Sequence, residues 1–212
     1  MQPCVSERSY KNELLGDNCM KNLLYVISVI LFLLTIIIVF KIKTLKNIEY
    51  KKPEVLSDKK ILTVYYSNGG NTKTVAQNLQ SIAGGDIKEI ELIEKYPKNV
   101  FQMSNLVRKQ AKEGVLPQIK DIDISSYDVI FIGSPIWNFS ISLPVQSFLK
   151  NNNFENKVII PLFTCSGGVN KNKVINTIND YTNAKEVKKP LFMFENGIFL
   201  IKEQIIKWLN NI

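Results

Sequence analysis

The sequence predicts an α/β domain built on a doubly wound parallel sheet and preceded by an apolar helix. Three observations predict it. From Ile61 onward, strand-like apolar runs alternate with runs of helical periodicity, five of each. Three of the strand-like runs, Ile61–Tyr66, Asp128–Gly133 and Lys157–Phe163, are apolar almost without a break. A half-exposed strand would alternate, so these runs must be covered on both faces, as when helices pack above and below a parallel sheet. Finally, Asn22 to Phe40 carries no charge and consists mostly of Leu, Ile, Val and Phe.

As a helix rising about 1.5 Å per residue, Asn22–Phe40 spans roughly 28 Å, against a bilayer core of about 30 Å. About fifteen strongly apolar residues, each worth roughly −0.3 to −0.6 kcal/mol, give an insertion term on the order of −5 to −9 kcal/mol. A cleavable signal would have a shorter apolar core followed by small residues. This run ends instead in Val39-Phe40-Lys41-Ile42-Lys43. Residues 22–40 therefore read as a retained single-pass transmembrane helix in the cell membrane. Lys41, Lys43, Lys46, Lys51 and Lys52 crowd its C-terminal side, against Arg8, Lys11 and Lys21 before it. The side richer in positive charge stays in the cytoplasm. Residues 1–21 are thus expected outside, where Cys4 and Cys19 could pair, and everything after Lys41 in the cytoplasm. Residues 41–60, basic and interrupted by Pro53, read as a linker, and residues 61–212 as the globular domain.

Within that domain Ile61–Tyr66 is a central strand. Thr72–Ile82 sets Val75, Ala76, Leu79 and Ile82 on one helical face, and Gly84-Gly85 closes it. Ile87–Leu92 alternates apolar residues with Glu89 and Glu91, which suits an edge strand. Pro97–Lys112 carries Phe101, Met103, Leu106, Val107 and Ala111 at helical spacing. Asp128–Gly133 is the next buried strand. Leu143–Leu149 starts a helix, with Pro144 in the first turn where no N–H is needed. Lys157–Phe163 is a further central strand whose Pro161 requires a bulge or the end of a ladder. Lys171–Tyr181 reads as helix. Val187–Phe194 is a fifth strand, weakened by Lys188, Lys189 and Pro190. Asn196-Gly197 reads as a turn, and Ile198–Ile212 as a closing helix with Ile201, Ile205, Trp208 and Leu209 on one face.

Composition removes several chemistries. There is no His, so His-activated nucleophiles and His metal ligands are ruled out. Cys4, Cys19 and Cys165 are too few and too scattered for a disulfide framework or a zinc site. The net charge of +8 is evenly spread: residues 1–60 hold 10 Lys+Arg against 6 Asp+Glu, and the remainder 17 against 13. No run interleaves basic and aromatic residues, so nucleic acid is not expected as a partner. A basic body beside an anionic membrane surface is.

What remains lies in three polar loops, each following an apolar strand: Ser67–Thr72, Ser134–Ser142 and Thr164–Gly168. Doubly wound sheets bind ligands beyond the strand C-termini, where strand order reverses, and these loops would meet there. Ser67-Asn68-Gly69-Gly70-Asn71-Thr72 leads from strand into helix. Unpaired N–H groups and the dipole at a helix start attract an anion, the glycines permit close approach, and Ser67 and Thr72 add hydroxyls. An ordinary strand-to-helix turn capped by Asn or Thr reads the same way. The chain has no Gly-x-x-x-x-Gly-Lys-Ser/Thr string and no Gly-x-Gly-x-x-Gly, so neither a nucleoside triphosphatase nor a dinucleotide fold is indicated. Neutral donors suit a phosphate monoester. In the second loop Trp137, near Pro135 and Phe139, either offers a flat face for stacking or folds down as packing. The third loop, Thr164-Cys165-Ser166-Gly167-Gly168, offers backbone donors. A planar heterocycle with a phosphate tail, FMN, would suit all three.

Residues from about Ile61 to Ile212 resemble the flavodoxin-like family. The bacterial group has a phosphate loop Ser-x-Thr-Gly-Asn-Thr and a second loop Gly-x-Pro-Ile-Trp. This chain has Ser67-Asn68-Gly69-Gly70-Asn71-Thr72 and Gly133-Ser134-Pro135-Ile136-Trp137. The resemblance implies a five-stranded parallel sheet in the order 2-1-3-4-5, with FMN as cofactor. Ser67, Asn68, Gly69, Gly70, Asn71 and Thr72 would cradle the phosphate. Ser134, Pro135, Ile136, Trp137 and Asn138 would border the ring, with Trp137 as the stacking face. Thr164, Cys165, Ser166, Gly167 and Gly168 would close the other side. Two departures stand out: Gly69 replaces a Thr, removing one hydroxyl, and Asn138 stands where relatives often place a second Trp. Losing one hydrogen bond to a charged group costs about 1.5–3 kcal/mol, so weakened FMN binding is expected. In this family a backbone group near N5 of the ring stabilises the semiquinone, and the segment Trp137-Asn138, whose Asn138 tolerates positive φ, is expected to flip or to supply that contact. Lys171 and Lys173 just past the third loop are expected to make the flavin less reducing than in acidic carriers. The implied function is membrane-tethered electron transfer, with a redox partner protein or a small-molecule acceptor. The alternatives are an NAD(P)H-dependent quinone or nitro reductase, and an interaction module that has lost FMN. A receiver domain of the same fold is excluded, because Tyr66-Ser67 stands where an acidic pair for magnesium would be needed.

Overall fold

The computed structural model describes residues 6–46, 49–194 and 200–212; the expected Asn196-Gly197 turn and Cys4 lie outside them. The chain divides into two compact units, Met1–Ile48 and Glu49–Ile212. In the first, helix α1 runs from Ser6 to Lys46. Its segment Met20–Phe40 has a mean hydropathy of 3.2 and none of it is buried. A core helix of a soluble domain hides one apolar face. This one exposes apolar side chains all round and is long and apolar enough to cross a membrane.

The globular unit begins earlier than Ile61. Glu54–Leu56 forms a 3-10 turn whose Leu56 is fully buried. The Lys51 N–H donates to Asn210 Oδ1 at 3.0 Å, and Asn210 Nδ2 donates to the Glu49 carbonyl at 2.9 Å. The stretch expected as a linker is therefore helical up to Lys46 and packed from Glu49 onward.

The sheet comprises β1 (Ile61–Tyr65), β2 (Asp86–Glu89), β3 (Val129–Trp137), β4 (Ser140–Ile141), β5 (Val158–Cys165), β6 (Glu186–Val187) and β7 (Leu191–Phe194). Its spine runs β2-β1-β3-β5-β6, all parallel, with β7 also pairing β5 and β4 returning antiparallel along β3. Counting β6 and β7 as one interrupted edge strand, this is the expected order 2-1-3-4-5.

The interruption explains Pro161. The β3–β5 register is unbroken from Val129↔Val158 to Pro135↔Thr164, so Pro161 makes no bulge in its own strand. The Ile159 carbonyl accepts from the Lys188 N–H at 2.8 Å, which points Ile159, and hence Pro161 two residues on, toward the edge strand. There Ile159 pairs Val187 but Leu162 pairs Leu191. Three steps along β5 face four along the edge, so the bulge lies in Lys188-Lys189-Pro190. The missing N–H of Pro161 falls opposite that gap, where no ladder bond is required.

Alternate residues of the central strands feed two separate cores. Leu62, Val64, Ile130, Ile132, Ile159 and Phe163 pack with α3 (Val100–Glu113), α4 (Leu143–Asn151) and α5 (Lys171–Tyr181), through Val107, Phe148, Leu149, Val174 and Ile178. Ile61, Val129, Phe131, Ile160 and Leu162 pack with α2 (Asn71–Ala83) and α6 (Ile201–Leu209), through Val75, Leu79, Ile205 and Leu209. This two-sided burial is why those runs show no polar alternation. The apolar face expected on α3 is narrower than its spacing suggests. Val107 is buried, but Phe101 is 81% exposed. Phe101 lies two residues, roughly 200° of helical rotation, from the core-facing Met103.

Gly85 has φ +84°, and a Cβ there would lie 2.4 Å from the Ile61 carbonyl oxygen. Gly85→Ala is expected to destabilise the Glu49–Ile212 unit by about 2 kcal/mol or more. Gly69→Ala, whose Cβ would meet nothing within 4 Å, should stay within about 0.5 kcal/mol. Urea unfolding of both variants checks the contrast.

Candidate functional site

β1 hands over to α2 through a tight turn. The Tyr66 N–H donates to the Gly133 carbonyl (3.0 Å), and the Gly70 N–H donates to Ser67 Oγ (3.1 Å). Gly70 sits at the helix N-cap with φ +90°, a conformation that suits glycine. The first helical bond runs from the Thr74 N–H to the Gly70 carbonyl at 2.9 Å. No side chain caps α2, so the N–H groups of Asn71, Thr72 and Lys73 have no partner among the described residues. The capped-turn reading of this loop is therefore not what forms: the start of α2 is left uncapped and open.

The first turn of α2 lies against β3 at Gly133. A Cβ on Gly133 would come 2.8 Å from Tyr65 Cβ and 3.4 Å from Thr72 Cγ2. This approach brings Thr72 Oγ1 to 2.8 Å from Thr164 Oγ1, both residues being buried. One hydroxyl must donate to the other, so the pair keeps one O–H for a guest rather than two. The first and third loops are thereby joined directly.

The second loop is more ordered than its sequence suggests. β3 continues through Pro135 and Ile136 to Trp137, turns at Asn138-Phe139, and returns as β4 with Trp137 opposite Ser140. Asn138 has φ +48° and Phe139 φ +61°. Two left-handed residues make the tight two-residue hairpin turn usually written Asn-Gly. Asn138 fits, as expected from its tolerance of positive φ, whereas Phe139 bears strain of about 1–2 kcal/mol. Ser134 does not join the site. It is fully buried, its hydroxyl donates to the Pro135 carbonyl (2.9 Å), and it accepts from the Ser142 N–H (3.0 Å). It braces the hairpin base, which corrects its expected place beside a ring.

The three loops enclose an open cleft of about 240 Å³. Ser67, Asn68, Gly69, Asn71 and Thr72 form one side, Pro135, Ile136 and Trp137 another, and Thr164, Cys165 and Ser166 a third. Gly70 is not on the wall; its N–H is already used by Ser67. Asn138, Gly167 and Gly168 line a neighbouring, more open hollow of about 300 Å³ that shares Ile136, Cys165 and Ser166 with the first. Met193 and Phe194 close the cleft and were not foreseen. The signal was present: they end the last strand, at the same sheet edge as the third loop. Among the described residues no charged side chain lines the cleft, so the described walls would meet an anion with dipoles.

Trp137 has both fates that its sequence position left open. It walls the cleft, yet it is half-buried and meets Tyr66 and Tyr96 edge-on, at centroid distances of 5.6 and 5.8 Å. Burial, with the Glu89 carboxylate nearby, pushes the Tyr66 phenol up to about 12. Burial, a hydrogen bond to Glu89 and its charge raise Tyr65, and burial with the neighbouring Tyr66 raises Tyr96. Burial also raises the Cys165 thiol, opposed by the positive charge of Lys171. The Cys165 thiol donates to the Met193 carbonyl at 3.7 Å, which makes it a structural group. The Lys171 ammonium sits 5.3 Å from the centroid of the Phe192 ring.

The family model described as flavodoxin matches residues 60–212. The chain belongs to the flavodoxin family. Among solved structures it is similar to a flavoprotein from Lactobacillus acidophilus in complex with FMN, at 26% identity and a TM-score of 0.52, covering 66% of this chain and 97% of that one. It is also similar to a candidate flavoprotein from Bacteroides eggerthii, at 27% identity and a TM-score of 0.59, covering 73% of this chain and 98% of that one. A similar protein from Bacteroides uniformis, at 22% identity and a TM-score of 0.56 over 71% of this chain and 97% of its own, shares the fold. No curated protein matches the chain.

The raised phenols of this flavodoxin have a consequence for stability. A folded phenol at about 12 keeps a proton that the unfolded chain loses near 10. The stabilisation is complete below pH 10 and is lost as pH rises toward 12. Urea midpoints of the Glu49–Ile212 unit are expected to fall across that window, and Tyr66→Phe should flatten the fall. A midpoint that rises there would contradict the assignment.

Proposed function

We propose that this chain is a membrane-tethered flavodoxin that binds FMN between Ser67–Thr72, Pro135–Asn138 and Thr164–Gly168, and passes electrons at the cytoplasmic face. The observation that carries this reading is the uncapped start of α2 at a cleft with no charged side chain among the described residues of its walls. A phosphate monoester is the anion such a site suits, because amide dipoles and hydroxyls meet its charge. Trp137 supplies a flat wall, and Ile136, Met193 and Phe194 add the apolar surface a ring system needs. The complex of the Lactobacillus relative with FMN supports the choice of ligand.

When bound, FMN supplies the redox chemistry; the chain holds and tunes it. The N–H groups of Asn71, Thr72 and Lys73 would hold the phosphate, with the Ser67 hydroxyl and the one free O–H of the Thr72–Thr164 pair. Gly69 leaves open space where a hydroxyl would add to that set. Asn138, held at positive φ in the hairpin turn, lines the neighbouring hollow. Lys171, near Cys165, sets positive charge behind the third loop and favours an electron-rich ring. The exposed apolar segment of α1 supports the membrane tether, and the lysines that follow it support a cytoplasmic domain. The partner is a redox protein or a small-molecule acceptor that reaches this sheet edge.

FMN titrated into the full chain in detergent should bind one per chain with quenched flavin fluorescence. Gly69→Thr should tighten binding by about tenfold or more, by restoring one hydrogen bond to the phosphate. A chain that stays colourless with excess FMN would overturn the reading.

A further inference from the structure

Helix α3 leaves apolar side chains in water at a density found nowhere else on the globular unit. Outside α1, seven large apolar side chains are exposed among the described residues. Five of them, Ile93, Val100, Phe101, Leu106 and Val115, lie on α3 or beside its ends. Scattered single exposures need no explanation, but this concentration does. Phe101 is the extreme case, at 81% exposed, with Val100 next to it at 69%. The backbone that carries them is fixed. The Asn99 side chain accepts from the Phe101 and Gln102 N–H groups at 3.0 and 3.1 Å, so the first turn of α3 is capped.

The charges on the same helix are one-sided. At 3.6 residues per turn, Phe101, Asn105, Arg108 and Lys112 fall within about 60° of one another, with Lys109 at the flank. The core-facing Met103 and Val107 lie on the other side. From Tyr96 to Glu113 the chain carries Lys98, Arg108, Lys109 and Lys112 against Glu113 alone. All five are exposed, and among the described residues none of the four cations has an ion-pair partner. Glu113, one turn from Lys109, offsets one of them. Nearby, Lys95 stands next to Glu94, and Lys120 pairs with Glu91 at 2.6 Å, so neither adds to the excess. The outward face of α3 thus joins an exposed aromatic ring to an excess of positive charge.

We propose that this face of α3 docks on an anionic lipid surface, with Phe101 and Val100 entering the headgroup layer and Lys98, Arg108, Lys109 and Lys112 meeting the lipid anions. A shallow apolar wedge among cations is what a helix lying on an anionic bilayer requires. With one aromatic ring to bury, the contact is weak by itself. The inference rests on the tethered reading for its strength. Phe40 ends the apolar segment and Glu49 begins the globular unit, so a spanning α1 keeps lipid within reach and turns a weak contact into a populated one. The same apolar segment favours lipid over an acidic protein as the occupant.

The full chain carrying Phe101→Trp, placed in nanodiscs with brominated acyl chains, tests the face. The discs hold phosphatidylcholine alone or with phosphatidylserine, and the emission of the unsubstituted chain is subtracted. With phosphatidylserine the added indole should shift to the blue and lose most of its emission, and high salt should restore it. In neutral discs it should emit as a solvent-exposed indole. In the same background, Arg108→Gln/Lys109→Gln/Lys112→Gln should lower the docked-to-free ratio on the order of 100-fold, about fivefold for each cation removed, and so abolish the response. All four substituted positions are exposed, so folding is not at stake. An indole equally exposed in both kinds of disc, or a triple variant that keeps the response, would overturn the proposal. So would a response that follows the number of chains per disc, which would assign the face to a second copy. Entry of the chain into neutral discs is read separately, by co-elution. A chain that enters them but ignores lipid charge sinks this inference and leaves the tether standing. A chain that fails to enter them, yet answers to phosphatidylserine through the added indole, does the opposite.

Discussion

The first turn of α2 packs onto β3 at Gly133, where an added Cβ would meet Thr72 Cγ2 at 3.4 Å and crowd Tyr65 Cβ of β1 at 2.8 Å. That close approach sets the rest of the site. It brings Thr72 to Thr164, which joins the loops after β1 and β5 through one buried hydroxyl pair. It also places the uncapped end of α2 beside the hairpin that grows out of β3. An added methyl at Gly133 would clash first with Tyr65, its partner in β1, and strain the β1–β3 pairing from which the first two loops emerge. The parallel sheet supplies the other half of the constraint: with helices on both faces, the loops that follow the strands emerge at one edge.

Much of this was legible in the sequence because its causes are local. Unbroken apolar runs at Ile61, Asp128 and Lys157 require two covered faces, and two cores form. Gly69-Gly70 between a strand and a helix signals a tight turn, but leaves open whether a side chain caps the helix. The flavodoxin motifs fixed which loops would meet. What was missed depends on partners distant in sequence. Pro161 is tolerated because the edge strand bulges at Lys188-Lys189-Pro190, and no window around Pro161 contains that fact. Ser134 looks like a loop donor until Ser142 folds back onto it. The hairpin was hidden because its turn is Asn138-Phe139, and a Phe at positive φ is not a turn signal. Met193 and Phe194 read only as the end of a weak strand, though that strand ends at the site.

Trp137 is best understood as a partition. One side is fixed by edge-on contacts to Tyr66 and Tyr96, which belong to the core beneath α3 and α4, and the other borders the cleft. A wall anchored in this way holds its place without a ligand, so the cleft is largely preformed. In the proposed complex, the weak point would lie on the phosphate side. Gly69 leaves open space there, and the Thr72–Thr164 pair uses up one of two hydroxyl donors, so affinity rests mainly on backbone amides.

Those amides give the most direct test. In the isotope-labelled Glu49–Ile212 unit, the backbone N–H resonances of Asn71, Thr72 and Lys73 can be followed as FMN is added, and again with riboflavin, which has the ring but no phosphate. Large downfield shifts at these three positions with FMN, and little change with riboflavin, are the expected result. No shift with FMN, or the same shifts with riboflavin, would contradict the assignment of the α2 start as the anion cradle.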